Sequence, residues 1–178
     1  MFYYCSSLTS LDLSSFNTSN VTNMSWMFAV SGLPGLDLSN FDISNVTGMY
    51  KMFSDCSKLT SITFGDKFNA SNVTNMGDMF SGCRSLTSLN LSSFDISKVI
   101  DMSEMFRGCS KLTNLTFGDN FDTSSVTDMS EMFRECSKLT NLDLSSFNTS
   151  SVTNMNYMFY RCWSLRNLDL SGFVINSN

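Results

Sequence analysis

The sequence predicts an α/β solenoid, with short parallel strands and short helices in units of about 26 residues. Two observations predict this fold class. A skeleton of Val, Met, Met, Phe and Cys recurs at fixed spacing along the whole chain, as at Val73, Met76, Met79, Phe80 and Cys83. Each skeleton is followed by a Leu-x-x-Leu-x-Leu segment, whose last part alternates apolar and polar residues as a strand does.

The repeats fill the chain, so we expect residues 1–178 to form a single array. Full units open at six phenylalanines: Phe16, Phe41, Phe68, Phe94, Phe121 and Phe147. A partial unit, 1–15, precedes them, and another, 173–178, follows. Two units carry one extra residue at a Gly-Asp turn, which begins at Gly65 or Gly118. The unit that opens at Phe16 is one residue short and contains Pro34, so a local distortion is expected there.

The first half of each unit has helical spacing. Val73, Met76, Met79, Phe80 and Cys83 follow the pattern i, i+3, i+6, i+7, i+10, which places all five on about a third of a helix circumference. This pattern predicts a short amphipathic helix. Such a helix is marginal alone, and we expect stacking on neighbouring units to stabilise it.

The second half of each unit predicts a strand of about four residues. Leu89 and Leu91 point inward, and Asn90 points outward between them. Equivalent outward positions form a row of polar side chains, here called the strand row: Asp12, Asp37, Thr63, Asn90, Thr116, Asp143 and Asp169.

Charge and hydropathy exclude several classes of partner. The chain has 11 basic and 16 acidic residues, a formal net charge of −5, which is the wrong sign for a phosphate-tracking surface. We therefore expect no nucleic-acid partner. No apolar stretch reaches the roughly 20 residues that span a bilayer, so membrane insertion by this segment is not expected. Nor does the segment carry a recognisable signal or anchor sequence.

The residue types also argue against catalysis and cofactors. The chain has no histidine, which excludes a Ser/His/Asp or Cys/His nucleophile, and its carboxylates recur in every unit without the asymmetry of an acid–base pair. We predict that the protein is not an enzyme and holds no cofactor. Six cysteines occupy one repeat position without any Cys-x-x-Cys pair, which indicates buried free thiols and no metal site: Cys5, Cys56, Cys83, Cys109, Cys136 and Cys162.

The full repeat pattern, Phe-Asn/Asp-Thr/Ile-Ser-Asn-Val-Thr-x-Met-x-x-Met-Phe-x-x-Cys-x-x-Leu-Thr-x-Leu-x-Leu, resembles BspA-type leucine-rich repeats of bacterial surface proteins. It is also similar to the repeats of mycoplasma lipoproteins that are grouped as a domain of unknown function. The resemblance implies a right-handed leucine-rich-repeat-like solenoid. It also implies an extracellular or cell-surface location and an adhesion or recognition role, without defining a ligand.

Two surfaces are candidates for binding a protein or glycan on a host or neighbouring cell. The resemblance implies the strand row, where the candidate residues are Asp12, Asp37, Asn90, Thr116, Asp143 and Asp169. The composition typical of contact surfaces indicates instead an aromatic cluster near the C-terminal end, formed by Tyr157, Tyr160 and Trp163. We favour the strand row.

Other roles stay open at this stage. The array could be a structural spacer without its own ligand. Ice binding is a weaker alternative, because Ile100 interrupts the threonine column Thr22, Thr47, Thr74, Thr127 and Thr153. The partial units at both ends also make end-to-end self-association possible.

Overall fold

The computed structural model describes residues 1–174. The last four residues of the predicted partial unit 173–178 lie outside this part. Residues 1–174 contain six short strands: β1 (Gly35–Leu38), β2 (Ser61–Phe64), β3 (Ser88–Leu91), β4 (Asn114–Phe117), β5 (Asn141–Asp143) and β6 (Asn167–Asp169). Within residues 1–174 there is no helix that is long and apolar enough to cross a membrane.

The strands pair in parallel, each with its equivalent in an adjacent unit. β1 pairs with β2, β3 with β4, and β5 with β6, with equivalent residues in register. A second column of parallel bridges runs through the units at Asn23, Gly48, Asn75, Asp101, Asp128 and Asn154. The units therefore stack as layers. The predicted short parallel strands are confirmed.

The predicted helix is wrong, because the segments 46–56, 73–83 and their equivalents are runs of turns, and residues 1–174 contain no helix. In segment 46–56 alternate backbone amides donate hydrogen bonds outside their own layer. Met49, Lys51, Phe53 and Asp55 donate to carbonyls of the following layer, with N···O distances of 2.7–3.0 Å. We call this column of bonds, repeated in each layer, the turn ladder.

Backbone conformation explains why no helix forms there. Lys51 and Asp55 both have φ of 56°, in the left-handed region, and each turn segment has two residues of this kind four positions apart. A left-handed residue reverses the direction of the chain locally, so the i to i−4 bonds of a helix cannot continue through it. The inward side chains are nevertheless those that the spacing predicted. Val73, Met76 and Met79 are fully buried.

The core is a set of columns that run through the layers. Seven phenylalanine rings stack at centroid distances of 5.3–5.9 Å, with neighbouring planes within 14° of parallel: Phe2, Phe28, Phe53, Phe80, Phe106, Phe133 and Phe159. The cysteines form another column. The Cys83 thiol donates to the carbonyl of Phe53 in the preceding layer at 3.2 Å, and Cys109 bonds to Phe80 in the same way. Four of the six free thiols are buried and two are half-buried.

The expected distortion before Pro34 is confirmed. The Gly32 amide donates to the Cys5 carbonyl of the preceding layer at 3.0 Å. In the regular unit that follows, the equivalent amide of Ser57 donates within its own turn, to Asp55. Ser31 occupies the cysteine position, where its hydroxyl lies 3.4 Å from the Cys56 thiol. The layer keeps its place in the stack despite the missing residue.

Candidate binding faces

The strand row is exposed along its whole length. From Asp12 to Asp143 its members alternate with buried or half-buried residues, as in β3, where Leu89 and Leu91 are buried and Asn90 is exposed. The register of the pairs places Asn90 beside Thr116 and Asp143 beside Asp169. The strand side of the stack thus presents the strand row, with a second exposed polar residue two positions earlier in β2 to β6: Ser61, Ser88, Asn114, Asn141 and Asn167.

Five members of the strand row also hold the turn that follows them. The side-chain oxygen of Asn90 accepts the Ser92 amide at 2.9 Å, and four aspartates accept the amide two residues later at 2.9–3.0 Å: Asp12, Asp37, Asp143 and Asp169. These bonds form Asx turns. Hydrogen bonds from Ser145 lower the pKa of Asp143, so its carboxylate stays charged at neutral pH. Sequence reasoning treated these positions only as outward-facing.

Shallow depressions lie along the strand row. Their volumes are about 160 to 340 Å³, and their walls include strand-row members of neighbouring layers, such as Asp12 with Asp37 or Asp143 with Asp169. A surface of this shape can contact an extended partner at several points.

The opposite side of the stack, the turn side, carries a chain of ion pairs. Glu104 pairs with Arg107 in its own layer, and the Arg107 Nε lies 3.5 Å from Glu131 in the next. Arg134 continues the chain by a 2.9 Å bond to Glu131, and Arg161 lies 3.2 Å from Glu135. Two of these pairs, Glu104 with Arg107 and Glu131 with Arg134, join residues three positions apart in the same layer. These half-exposed pairs are worth a few tenths of a kcal/mol each.

A polar groove of about 300 Å³ opens beside this ion-pair chain, and Asp78 forms part of its wall. Burial, and then the nearby charge of Glu104, raise the pKa of Asp78 to about 6, although Lys51 opposes the shift. The Lys51 Nζ lies 3.9 Å from the Asp78 carboxylate. Sequence reasoning missed this residue. The equivalent residues of other units, such as Trp26 and Glu104, are exposed or half-exposed. The repeat pattern therefore gave no signal that Asp78 is buried.

The aromatic cluster at the C-terminal end is exposed as predicted. Tyr157 and Tyr160 meet edge to face at 5.7 Å, and Trp163 is 77% exposed. The guanidinium groups of Arg134 and Arg161 lie 5.2 and 5.1 Å from the centre of the Tyr160 ring. This arrangement combines large apolar rings with cations, a composition typical of contact surfaces.

A second aromatic row lies at the other end of the turn side. Tyr4, Tyr3, Trp26 and Tyr50 contact one another in order, with centroid distances of 5.0, 5.4 and 5.8 Å. The Lys51 ammonium lies 4.9 Å from the centre of the Trp26 ring. The turn side therefore has aromatic residues at its two ends and charged residues in the middle.

No group of three His, Cys, Asp or Glu side chains in residues 1–174 is arranged to hold a metal ion. Burial raises the pKa of the Cys109 thiol to about 12 and that of Cys162 to about 11. Both thiols are therefore neutral at physiological pH and poor ligands or nucleophiles.

Comparison with known structures identifies the class of fold. A leucine-rich repeat protein from Bacteroides ovatus, known from a crystal structure, is similar with a TM-score of 0.54 at 19% identity. The similarity covers 94% of this chain and 50% of that one, so the chain spans about half the length of that protein. The fold is thus that of a repeat protein similar to leucine-rich-repeat proteins.

The chain belongs to the family described as "Mycoplasma protein of unknown function, DUF285", which matches residues 1–88, 36–118 and 87–178. The resemblance to BspA-type and mycoplasma repeats is confirmed. No curated protein matches the chain.

Proposed function

We propose that this chain is a non-enzymatic recognition module of a cell surface, which binds a protein or glycan through the strand row. The observation that supports this proposal is the strand row, which displays an exposed polar side chain in each layer from Asp12 to Asp169 and, from Asp37 onward, lies in the register of paired parallel strands. The extracellular location rests on the resemblance to bacterial surface repeats.

Binding of this kind gathers its energy from several layers. The depressions along the strand row are shallow and separate, so no single pocket can enclose a ligand there. An extended partner that contacts three or four layers adds weak polar contacts together. This requirement favours a polypeptide or an oligosaccharide over a small molecule.

The aromatic cluster of Tyr157, Tyr160 and Trp163 is the competing face for the same function. Its support is the exposure of all three rings together with the two arginines beside Tyr160. Tyrosine, tryptophan and arginine are the residues most enriched in interface hot spots. A binding experiment must therefore test both faces.

Two other roles are less well supported. The threonine column has less capacity for ice binding, because the hydroxyls of Thr47, Thr74, Thr127 and Thr153 donate to carbonyls of the preceding layer at 3.2–3.3 Å. A structural spacer needs no binding face at all. It becomes the better explanation if neither face binds any probe.

The test uses an array of defined glycans and a set of immobilised extracellular-matrix proteins as probes. The strand-row variant combines Asn90→Asp, Thr116→Val and Asp143→Asn, which keeps the net charge and both Asx-turn acceptors. We expect the variant to bind the selected probe at least tenfold more weakly, about 1.4 kcal/mol. The matched variants Tyr160→Ala and Trp163→Ala should bind normally.

The opposite result assigns the site to the other face. If the strand-row variant binds normally while Tyr160→Ala or Trp163→Ala abolishes binding, the aromatic cluster is the site. If the wild-type chain binds none of the probes, the recognition function loses its support and the spacer role replaces it.

A further inference from the structure

The polar groove on the turn side, in which Asp78 forms part of the wall, lies among the inner layers of the stack. Its walls come from four successive layers, and each of these layers is bonded to a neighbour on both sides within residues 1–174. The shape and composition of the groove are therefore properties of the inner layers.

Two glycines form part of the floor of the groove. Gly82 and Gly108 both have a left-handed backbone, with φ of 72° and 69°. A Cβ atom at Gly108 would meet only backbone atoms of Gly82 within 4 Å, at 3.7 and 3.8 Å, which is ordinary van der Waals contact. Glycine is not required for the left-handed conformation here, because the equivalent residues of five other layers adopt φ of 56–64° with a side chain: Tyr4, Val30, Asp55, Glu135 and Arg161. The effect of Gly108 is therefore to leave open space above the floor.

The groove carries charges of both signs. Its cationic side chains are Lys51, Arg84 and Arg107, and its carboxylates are Asp55, Asp78, Glu104 and Glu135. A cationic ligand in the groove lies close to three like charges and an anionic ligand lies close to four, so each meets repulsion as well as attraction. A ligand without charge avoids this repulsion. The mixture of charges therefore favours a neutral ligand.

Some of these polar groups are available to a ligand. Arg84 and Asp55 are exposed, and within residues 1–174 neither of them forms a salt bridge. The backbone amides of Asp55, Gly82 and Gly108, in contrast, already donate to the following layer at N···O distances of 2.7–2.8 Å. The groove therefore offers side chains and not backbone groups for recognition.

Hydroxyl groups suit this lining better than peptide groups do. A hydroxyl both donates and accepts, so neighbouring hydroxyls of one ligand can accept from an arginine N–H and donate to a carboxylate. Peptides dock chiefly on open strand edges, in apolar or aromatic grooves, or on arginine clusters, and the polar groove has none of these features. A sugar ring presents several hydroxyls at fixed positions, and its rigidity lowers the entropy lost on binding.

An apolar surface for a sugar ring lies next to the groove. Lys51 lines the groove and also contacts the second aromatic row, where its ammonium lies 4.9 Å from the centre of the Trp26 ring and 5.2 Å from that of Tyr50. Tyrosine and tryptophan combine an apolar body with a polar group. A saccharide that extends from the groove past Lys51 can pack the C–H face of a ring on these aromatic side chains.

We propose that the polar groove binds a neutral saccharide on the turn side of the stack. Arg84 donates to hydroxyls of the saccharide, Asp55 accepts from them, and the space above Gly108 holds a sugar ring. The volume of about 300 Å³ is at the lower end of the range for small-molecule sites, so one or two rings of a longer glycan enter the groove. The site shares no residue with the strand row or with the aromatic cluster, and it is independent of the recognition function proposed above.

Filling the groove tests the proposal. The wild-type chain is screened on an array of neutral oligosaccharides, and the one that binds best is titrated by isothermal calorimetry. Gly108→Glu and Gly108→Arg introduce the side chains that Glu135 and Arg161 carry at the equivalent position, so the backbone can hold both. We expect each variant to bind at least about tenfold more weakly, whichever charge it adds, because the side chain occupies the space of the sugar ring. Ile100→Glu and Ile100→Arg place the same side chains at an exposed position outside the groove and should bind normally.

Arg84→Ala tests the site without filling it. Its side chain is exposed and forms no salt bridge within residues 1–174, so the fold should be unchanged. We expect this variant to bind the oligosaccharide at least about fivefold more weakly, because the N–H donors are lost. Wild-type affinity should change by less than about twofold between low and high salt, since a neutral ligand is not screened. Thermal unfolding checks that every variant is folded.

Several results overturn the proposal. If no neutral oligosaccharide binds the wild-type chain, or if neutral peptides of similar size bind in their place, the groove is not a saccharide site. If Gly108→Glu and Gly108→Arg change the affinity in opposite directions, the ligand of the groove is charged. Normal binding by both Gly108 variants and by Arg84→Ala also rejects the groove. If the strand-row variant then loses binding, the oligosaccharide occupies the strand row and the recognition function stands without this site.

Discussion

Phe80 shows how a single residue joins three layers. It is fully buried, and its ring lies between those of Phe53 and Phe106 at centroid distances of 5.3 and 5.9 Å. We expect Phe80→Ala to lower the free energy of unfolding by about 3–5 kcal/mol, because the cavity removes contacts with both neighbouring layers. Ser88→Ala, at an exposed strand position, should change it by less than about 0.5 kcal/mol. Urea unfolding followed by circular dichroism measures both, and equal losses would show that the inward and outward faces are misassigned.

Asp78 makes stability depend on pH. Its folded pKa of about 6 lies above the ordinary value of 3.8, so between these values the folded state holds the proton more tightly than the unfolded state. The contribution of Asp78 to stability is therefore greatest below about pH 4 and falls as the pH rises through 6. Asp78→Asn removes this loss. We expect the Tm of the variant minus that of the wild type to be at least about 2 °C larger at about pH 7.5 than at about pH 4.5.

The comparison with the wild type isolates the effect of Asp78, since all other carboxylates titrate in both proteins. Thermal unfolding at the two pH values provides the measurement, and Asp95→Asn is a suitable control on the other side of the unit, where the carboxylate is bonded to Ser97. If the Tm difference between Asp78→Asn and the wild type is the same at both pH values, Asp78 has an ordinary pKa and the groove does not desolvate it.

At the scale of the element, the sequence was sufficient for the strands and misleading for the helices. Alternation at Leu89, Asn90 and Leu91 correctly predicts β3, because a pleated strand is the conformation that separates two faces with a period of two. Spacing of three residues is shared by a helix and by successive turns, so Met76 and Met79 face inward in either case. Alternate amides of this segment bond to the next layer, and these bonds favour turns over a helix. The sequence does not show them.

The candidate site was predicted to a similar extent. The exposure of the strand row follows from its polar positions between inward leucines. The raised pKa of Asp78 does not, because it depends on how deeply the turn side encloses that carboxylate and on Glu104 in the next layer. Contacts between layers are set by the pitch of the stack, which no single unit encodes.

At the two one-residue insertions, a glycine packs against the backbone of the preceding layer too closely for a larger side chain. A Cβ atom at Gly65 would lie 1.9 Å from the Ser39 carbonyl oxygen, and one at Gly118 would lie 2.1 Å from that of Ser92. We expect Gly65→Ala and Gly118→Ala each to cost about 1–3 kcal/mol, because a backbone atom of the preceding layer must move. The control is Gly35→Ala, where the nearest atom is the Ser61 hydroxyl at 3.2 Å. Chemical denaturation compares the three, and a Gly35→Ala variant as unstable as the others would contradict the steric reason.

At the scale of the molecule, stability is shared between neighbouring layers. Within residues 1–174 each inner layer is bonded to its neighbours on both sides, whereas the first and last described layers are bonded on one side only. The phenylalanine column, the thiol bonds and the turn ladder all act between adjacent units. A stack of this kind unfolds from its ends when the interfaces between layers supply more stability than the layers themselves.

Hydrogen exchange measures this gradient directly. At equivalent ladder positions we expect the amides of Phe80 and Phe106 to exchange at least about a hundredfold more slowly than that of Phe159, which has no acceptor within residues 1–174. Uniform protection along the ladder would show that the array opens as one cooperative unit.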